Sequence, residues 1–83
     1  MKTTDIERDI RGYIVEHFLD GNASKLRDEG SLLGDVIDSM GVIELVAYLQ
    51  GHFNFTVEDE EVVPSNLDTI NNLVAYVSKK IDA

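Results

Sequence analysis

The 83-residue chain has room for one domain, and it is strongly acidic: 16 Asp and Glu against 7 Lys and Arg give a formal charge of −9 at pH 7. A domain of this size buries only about 60–65% of the surface that its unfolded form exposes, which argues against a deep, water-excluding active site. The negative field disfavours nucleic acid and anionic membranes and favours partner proteins with basic surfaces. With 43% hydrophobic residues and a single Pro, we expect one folded helical domain over residues 1–83.

Cysteine is absent from the chain, so the protein has no disulfide, thiolate metal site or thiol nucleophile of its own. No apolar segment approaches the ~20 residues needed to cross a bilayer, and the N-terminus runs directly into a charged amphipathic stretch. We therefore expect no membrane span and a cytoplasmic location. We also expect a monomer.

The first predicted helix begins at a capping box formed by Thr4 and Glu7 and ends near Phe18. Apolar residues recur at helical spacing along one face, which predicts that this face lies in the core. They are Ile6, Ile10, Tyr13, Ile14 and Phe18.

A long loop follows, from residue 20 to about residue 37, and it is rich in Gly, Ser and charged residues. Its predicted anchors are Leu26, Leu32 and Leu33 alone. Long loops in compact domains are usually functional, so this loop is of interest for the site that follows it.

The second predicted helix starts near Asp38 and Ser39, where a short polar side chain can cap the first turn, and runs to about Gly51. At about 100° per residue, one arc of this helix forms the inward stripe. It consists of Val42, Leu45, Val46, Leu49 and Phe53. A second apolar stripe lies roughly 140° away, on the face expected to meet water. It consists of Met40, Ile43 and Ala47, with Glu44 beside them.

The remaining segments complete a small helical fold. The alternating pattern of residues 53–57 predicts an extended segment, and residues 58–63 predict one or two helical turns that Pro64 ends. Asp68 and Thr69 then cap a last helix, whose basic end carries Lys79 and Lys80. Its predicted core stripe is Ile70, Leu73, Val74, Val77 and Ile81. We expect an all-α four-helix bundle with three main helices, one short helix and a long first loop.

Ser39 is the residue of greatest interest. It lies where unpaired backbone N–H groups and the positive end of a helix dipole favour a negative group such as a phosphodiester. Asp38 is adjacent, but no His, Lys or second acid follows at a spacing that builds a nucleophilic triad. The hydroxyl is therefore predicted to be an acceptor that another protein modifies. Scattered apolar residues on a surface are ordinary, whereas the apolar stripe beside Ser39, with its acidic rim, is also typical of a transient docking surface.

These residues resemble the acyl carrier protein family, the phosphopantetheine-binding carrier domains of fatty acid, polyketide and aminoacyl pathways. The resemblance covers nearly the whole chain and centres on residues 33–45, with Asp38-Ser39-Met40 as the attachment triplet. It also covers the alternating aromatic segment 53–57 and residues 66–70.

The resemblance implies a fold of the acyl-carrier type and a stand-alone carrier function, with no catalysis by the chain itself. A phosphopantetheinyl transferase, using coenzyme A and Mg²⁺, would attach 4′-phosphopantetheine to Ser39, and the arm would carry cargo as a thioester. Loading and processing enzymes would recognise the protein through its docking residues, namely Met40, Ile43, Glu44 and Ala47. The resemblance also suggests acyl-cavity walls, which are at the same time candidate core residues, namely Leu45, Leu49, Val62 and Ile70.

Two departures bear on the cargo. Met40 stands where Leu is commoner, and Met40 followed by Gly41 also resembles D-alanyl carrier proteins, so acyl and aminoacyl cargo both remain open. Residues 50–52 replace carboxylates that are common in fatty-acid carriers, which makes a specialised pathway as reasonable as housekeeping lipid metabolism.

Three other features receive ordinary interpretations. His17 and His52 are each isolated and partly exposed, with no spacing that would form a zinc site, and we expect no metal. The acidic run 58–61 lacks the ligand pattern of a calcium loop, so we interpret it as a solvated face that adds to the docking rim.

A rival function from another class is an unmodified acidic inhibitor that binds a basic enzyme surface and has no need of Ser39.

Overall fold

The protein is all-α, as predicted. The computed structural model describes residues 2–27 and 29–82, and these contain four α-helices and two isolated 3₁₀ turns. The helices are α1 (Thr3–Phe18), α2 (Ser39–Phe53), α3 (Pro64–Leu67) and α4 (Ile70–Asp82). The 3₁₀ turns are Ala23–Lys25 and Asp59–Glu61. Helices α1 and α3 both pack against α4. None of the helices in this part of the chain is long and apolar enough to cross a membrane.

Helix α1 begins two residues earlier than the predicted capping box requires, with Lys2 and not Thr4 as its N-cap. The carbonyl of Lys2 accepts the N–H groups of Asp5 and Ile6 at 3.0 and 3.1 Å, so Thr4 lies inside the first turn. A capping residue needs an extended backbone, and the capping box of Thr4 and Glu7 is therefore wrong. The predicted core face is confirmed, with Ile6, Ile10 and Ile14 buried and with Tyr13 and Phe18 half-buried at its edges.

The second and last helices contribute the other large core side chains. In α2 the buried stripe contains Leu45, Leu49 and Phe53, while Val42 and Val46 flank it half-buried. Phe53 is the last helical residue, not the first residue of the extended segment, because Asn54 ends the helix in the left-handed conformation (φ 60°) two residues later than predicted. In α4 the predicted stripe is confirmed from Ile70 to Val77, Ile81 is half-buried, and Tyr76 is an additional core residue.

The long loop is more firmly anchored than its composition suggests. Leu26 and Leu32 are buried as predicted, Leu33 is half-buried, and Ile37 is an unpredicted core residue at 1% exposure. Asp68 binds the loop from the junction of α3 and α4. Its carbonyl accepts the Leu32 N–H at 2.6 Å, and its carboxylate accepts the Leu33 N–H at 3.1 Å and the Ser31 hydroxyl at 2.7 Å.

Two predicted helix boundaries are corrected near this junction. The carboxylate of Asp68 is hydrogen-bonded to the loop and does not cap α4. Thr69 alone caps this helix, because its hydroxyl oxygen accepts the Asn72 N–H at 3.0 Å. Val63, the residue before Pro64, is extended, as predicted. Pro64 also has a second role, because it is the first residue of α3, a position where the missing N–H is not needed. The short helix of the fold is thus residues 64–67, and residues 58–63 contribute a single 3₁₀ turn.

Candidate functional site

Ser39 is the first residue of α2, and its side chain is exposed. Asp38 precedes it as the N-cap, with an extended backbone and a carboxylate that accepts the Gly41 N–H at 2.7 Å. In an α-helix the N–H groups of the first turn have no acceptor within the helix. One of these groups is satisfied by Asp38, and those of Ser39 and Met40 lie beside the Ser39 hydroxyl at the positive end of the dipole.

The first turn of α2 is held close to its neighbours at a glycine. Gly41 is buried, and a Cβ placed there would lie 2.8 Å from Cε1 of Phe18 and 2.9 Å from Cγ2 of Ile37. Phe18 ends α1, so the end of one helix supports the start of the next. Gly41 and Ile37 lie within the motif of residues 33–45 but had no predicted role at the site, and Phe18 was predicted only as a core residue. The one available signal was a glycine placed in the first turn of a helix that is rich in apolar residues.

The second apolar stripe of α2 is exposed. Met40 is 66% and Ile43 63% exposed, and Glu44 and Ala47 also face solvent. Leu45, between them in sequence, is fully buried. The structure thus confirms that α2 has two apolar faces and that only one of them belongs to the core. We call the exposed residues Met40, Ile43, Glu44 and Ala47 the docking strip; its role in docking stays a prediction.

A cavity of about 370 Å³ opens beside Ser39. Its walls are the first turn of α2, the Phe18 ring and residues 34–36 of the loop, and the carboxylates that line it belong to Asp35, Asp38 and Glu44. No His, Lys or Arg side chain is among these lining residues. The lining therefore holds no imidazole or amine to pair with the Ser39 hydroxyl, and the adjacent carboxylate of Asp38 already accepts the Gly41 N–H.

The phosphodiester implied by the resemblance fits this position. Ser39 is exposed, so a phosphate there stays in contact with water and avoids the cost of burying a charge. The helix end offers partial positive charge, which offsets repulsion from the carboxylate of Asp38. The surroundings of Ser39 are thus compatible with a modified serine.

The predicted acyl-cavity residues divide into two groups. Leu45, Leu49 and Ile70 are at 0% exposure, within the packed core. Val62 is 39% exposed, so its assignment to the core is wrong. Val62 lies between the 3₁₀ turn and α3, and this short connection leaves both Val62 and Val63 facing solvent. Whether the four residues line an acyl cavity in the loaded protein stays a prediction.

The two histidines are partly exposed as predicted, but they are not isolated. His17, Tyr13, Tyr48 and His52 form a row of rings between α1 and α2, with successive centroids 4.3, 3.9 and 5.0 Å apart. Nε2 of His52 lies 3.0 Å from the carboxylate of Asp9, and this hydrogen bond is the main cause of the lowered pKa of Asp9. Burial raises the pKa of Tyr48 to about 12. Within residues 2–27 and 29–82, no group of three or more His, Asp and Glu side chains is arranged to hold a metal ion.

The acidic run 58–61 is only partly a solvated face. Glu61 accepts hydrogen bonds from Lys80 at 2.9 Å and from the Tyr76 hydroxyl at 3.1 Å. The bond from Lys80 contributes most to lowering the pKa of Glu61. Glu61 therefore ties the 3₁₀ turn to α4, while Glu58, Asp59 and Glu60 stay exposed.

Comparison with known proteins gives a consistent set of matches. The family model described as "Phosphopantetheine attachment site" matches residues 22–77, a range that includes Ser39. The chain is 33% identical to the D-alanyl carrier protein of Streptococcus suis over 79 residues, which cover 95% of this chain and 99% of that protein. It is 31% identical to the D-alanyl carrier protein of Streptococcus mutans over 75 residues, which cover 90% of this chain and 94% of that protein. The acyl carrier protein of Wolinella succinogenes is 33% identical over 70 residues, which cover 83% of this chain and 88% of that protein.

Proposed function

The chain belongs to the phosphopantetheine-attachment family of carrier proteins, whose cofactor is covalent 4′-phosphopantetheine, and from this premise we propose that Ser39 is the attachment residue. The loaded chain presents a thioester-linked acyl or aminoacyl group to partner enzymes. The loading enzyme is a phosphopantetheinyl transferase. Because that enzyme consumes coenzyme A, we also propose a cytoplasmic location for the protein.

The observation that carries this proposal is the position of one hydroxyl. Ser39 is exposed at the start of a 15-residue helix, and the N-cap of that helix, Asp38, is already engaged by the Gly41 N–H. A helix of this length places about half a positive charge at its N-terminus, which stabilises the phosphodiester once formed. The carboxylate of Asp38 orients the first turn and does not act as a base.

The loading step is the transfer of a phosphopantetheinyl group from coenzyme A to Ser39. The Ser39 oxygen bonds to the β-phosphorus of coenzyme A, the pyrophosphate P–O bond breaks, and adenosine 3′,5′-bisphosphate leaves. The hydroxyl proton passes to a base on the transferase. The attached arm supplies the thiol that this chain lacks, and that thiol forms the thioester.

The docking strip supports the partner part of the proposal. Its apolar centre, Met40 and Ile43, is exposed next to Ser39, and Glu44 adds a negative charge. An apolar centre with a charged rim is the usual composition of a transient interface. A net charge of −9 favours enzymes with basic surfaces.

D-alanine is a specific second candidate for the cargo. Relatives named D-alanyl carrier protein match the chain almost from end to end. The Met40-Gly41 pair after Ser39 also resembles that group. A direct test uses the protein that already carries phosphopantetheine but no cargo. One reaction contains D-alanine, ATP and a D-alanine-activating ligase, and the other contains malonyl-coenzyme A and a malonyl transferase. Charging in the first reaction alone assigns aminoacyl cargo, and charging in the second alone assigns acyl cargo.

The attachment itself is tested by incubating the purified protein with coenzyme A, Mg²⁺ and a broad-specificity phosphopantetheinyl transferase. We expect intact mass to show one added phosphopantetheine on the wild type and on Ser65→Ala, an exposed serine control, and none on Ser39→Ala. A wild type that gains nothing would instead favour the unmodified acidic inhibitor.

A further inference from the structure

We infer that the phosphopantetheine arm, once attached to Ser39, lies in the cavity between α2, Phe18 and loop residues 34–36, and not between the core helices. The inference rests on the proposed function, because it concerns the arm that Ser39 would carry. It names a binding site on the loop side of Ser39, for a chain that contains methyl, hydroxyl and amide groups.

The cavity lies next to the attachment residue. Ser39 is not itself a lining residue, but Asp38, Met40 and Gly41, which flank it in sequence, all line the cavity, so an arm on Ser39 begins close to its edge. Its volume of about 370 Å³ lies within the usual range of small-molecule sites, roughly 300–1,000 Å³. No other residue has to move aside to open it.

The walls match the composition of the arm. Next to its phosphate the arm has a carbon with two methyl groups, which suits the apolar surfaces of Phe18, Val36 and Met40. Farther along it has a hydroxyl and two amide N–H groups, which are donors. The carboxylates of Asp35 and Glu44 line the same cavity and are acceptors only.

The loop wall is firmly held, and at Gly34 it presents backbone without a side chain. Gly34 has φ +93° and a Cβ there would meet nothing within 4 Å, so the wall facing the open space is backbone. Gly34 donates its N–H to the Ile37 carbonyl at 2.9 Å, and Val36 donates to the Leu32 carbonyl at 2.9 Å. A preformed wall lowers the ordering cost of binding a flexible chain.

The alternative location is closed in this structure. Leu45, Leu49 and Ile70 are at 0% exposure and pack within one continuous core. Protein interiors are close-packed, so an arm could enter there only if the helices moved apart. The cavity beside Ser39 requires no such movement.

The inference is tested by NMR on the protein loaded with isotope-labelled phosphopantetheine, after intact mass has shown complete loading. We expect nuclear Overhauser contacts from the geminal methyl groups of the arm to the Phe18 ring and the Val36 methyls. We also expect chemical-shift changes at Gly34 and Asp35 between the unloaded and the loaded protein. Contacts to Leu49, Val62 or Ile70 instead, or no contacts at all, would overturn the inference.

A pair of variants gives an independent readout. Asp35→Trp places an indole ring in the wall, and its ring current should shift the geminal methyl resonances upfield. Asp59→Trp, at an exposed position in the 3₁₀ turn, should leave them unchanged. Equal methyl shifts in both variants would overturn the inference. Failure of wild-type loading is a separate result, because it would overturn the proposed function before any arm could be located.

Discussion

The Phe18 ring lies where a side chain at Gly41 would lie: a Cβ at Gly41 would be 2.8 Å from Cε1 of Phe18. Such an approach is available only to glycine. It places the last residue of α1 against the first turn of α2, two residues from Ser39. The position of the hydroxyl therefore depends on a contact between two helices.

Gly41→Ala should destabilise the protein. The added methyl must displace Phe18 and Ile37 in a packed site, an overpacking that costs about 1–3 kcal/mol. Gly51→Ala is the matched control in the same helix: its Cβ meets nothing within 4 Å, and the substitution should stabilise by about 0.4–1 kcal/mol. Urea unfolding measures both. Equal free energies of unfolding for wild type and Gly41→Ala would show that the Phe18 contact does not constrain α2.

Ile43→Asp should preserve the fold and impair loading. Ile43 is 63% exposed, so the free energy of unfolding should change by no more than about 0.5 kcal/mol. A charge at the centre of a desolvated contact should lower the second-order loading rate about tenfold, equivalent to ~1.4 kcal/mol. Thr56→Asp adds the same charge at another exposed position and serves as the control. Loss of cooperative unfolding in Ile43→Asp would place Ile43 in the core.

Glu44→Lys should slow association with the loading enzyme in a salt-dependent manner. The substitution reverses one charge in the docking strip, where a basic partner is expected. Stopped-flow association rates should differ most from wild type at low salt and converge near 1 M, where the Debye length falls to about 3 Å. Asp82→Lys makes the same change of charge at the end of α4. If both variants slow association equally, net charge and not the docking strip governs encounter.

Asp68→Asn should destabilise the protein at neutral pH and much less in acid. Hydrogen bonds from Ser31, and then from Leu33, hold the pKa of Asp68 below its ordinary value of 3.8. Because the pKa is lower in the folded state, ionised Asp68 stabilises the fold above pH 3.8, and this contribution is lost as pH falls through the lowered value. Urea unfolding at a series of pH values measures the gap to wild type, with Asp82→Asn as the charge baseline. A gap that does not narrow in acid would contradict the role of the carboxylate.

The sequence was sufficient to predict buried and exposed helix faces where a pattern repeats along the chain. Helical spacing identified the buried faces of α1, α2 and α4, and the exposure of Met40 and Ile43 followed from the same arithmetic. The pattern around Ser39 identified the start of α2 and its cap, because both depend on neighbouring residues.

What the sequence did not predict depends on residues far apart in the chain. Asp68 looked like a local helix cap, but it binds Ser31 across 37 positions. His52 looked isolated, but it lies against Asp9, 43 positions away. Pro64 is compatible both with ending a turn and with opening a helix, and only the packing of α3 against α4 distinguishes these.

Attachment of the arm to Ser39 must also hold in the living cell. The most direct measurement is tandem mass spectrometry of the protein purified from its native host, with a second carrier from the same extract as proof of active transferase. We expect phosphopantetheine on the peptide that contains Ser39 and on no other serine. A bare Ser39 peptide beside a loaded second carrier would contradict it.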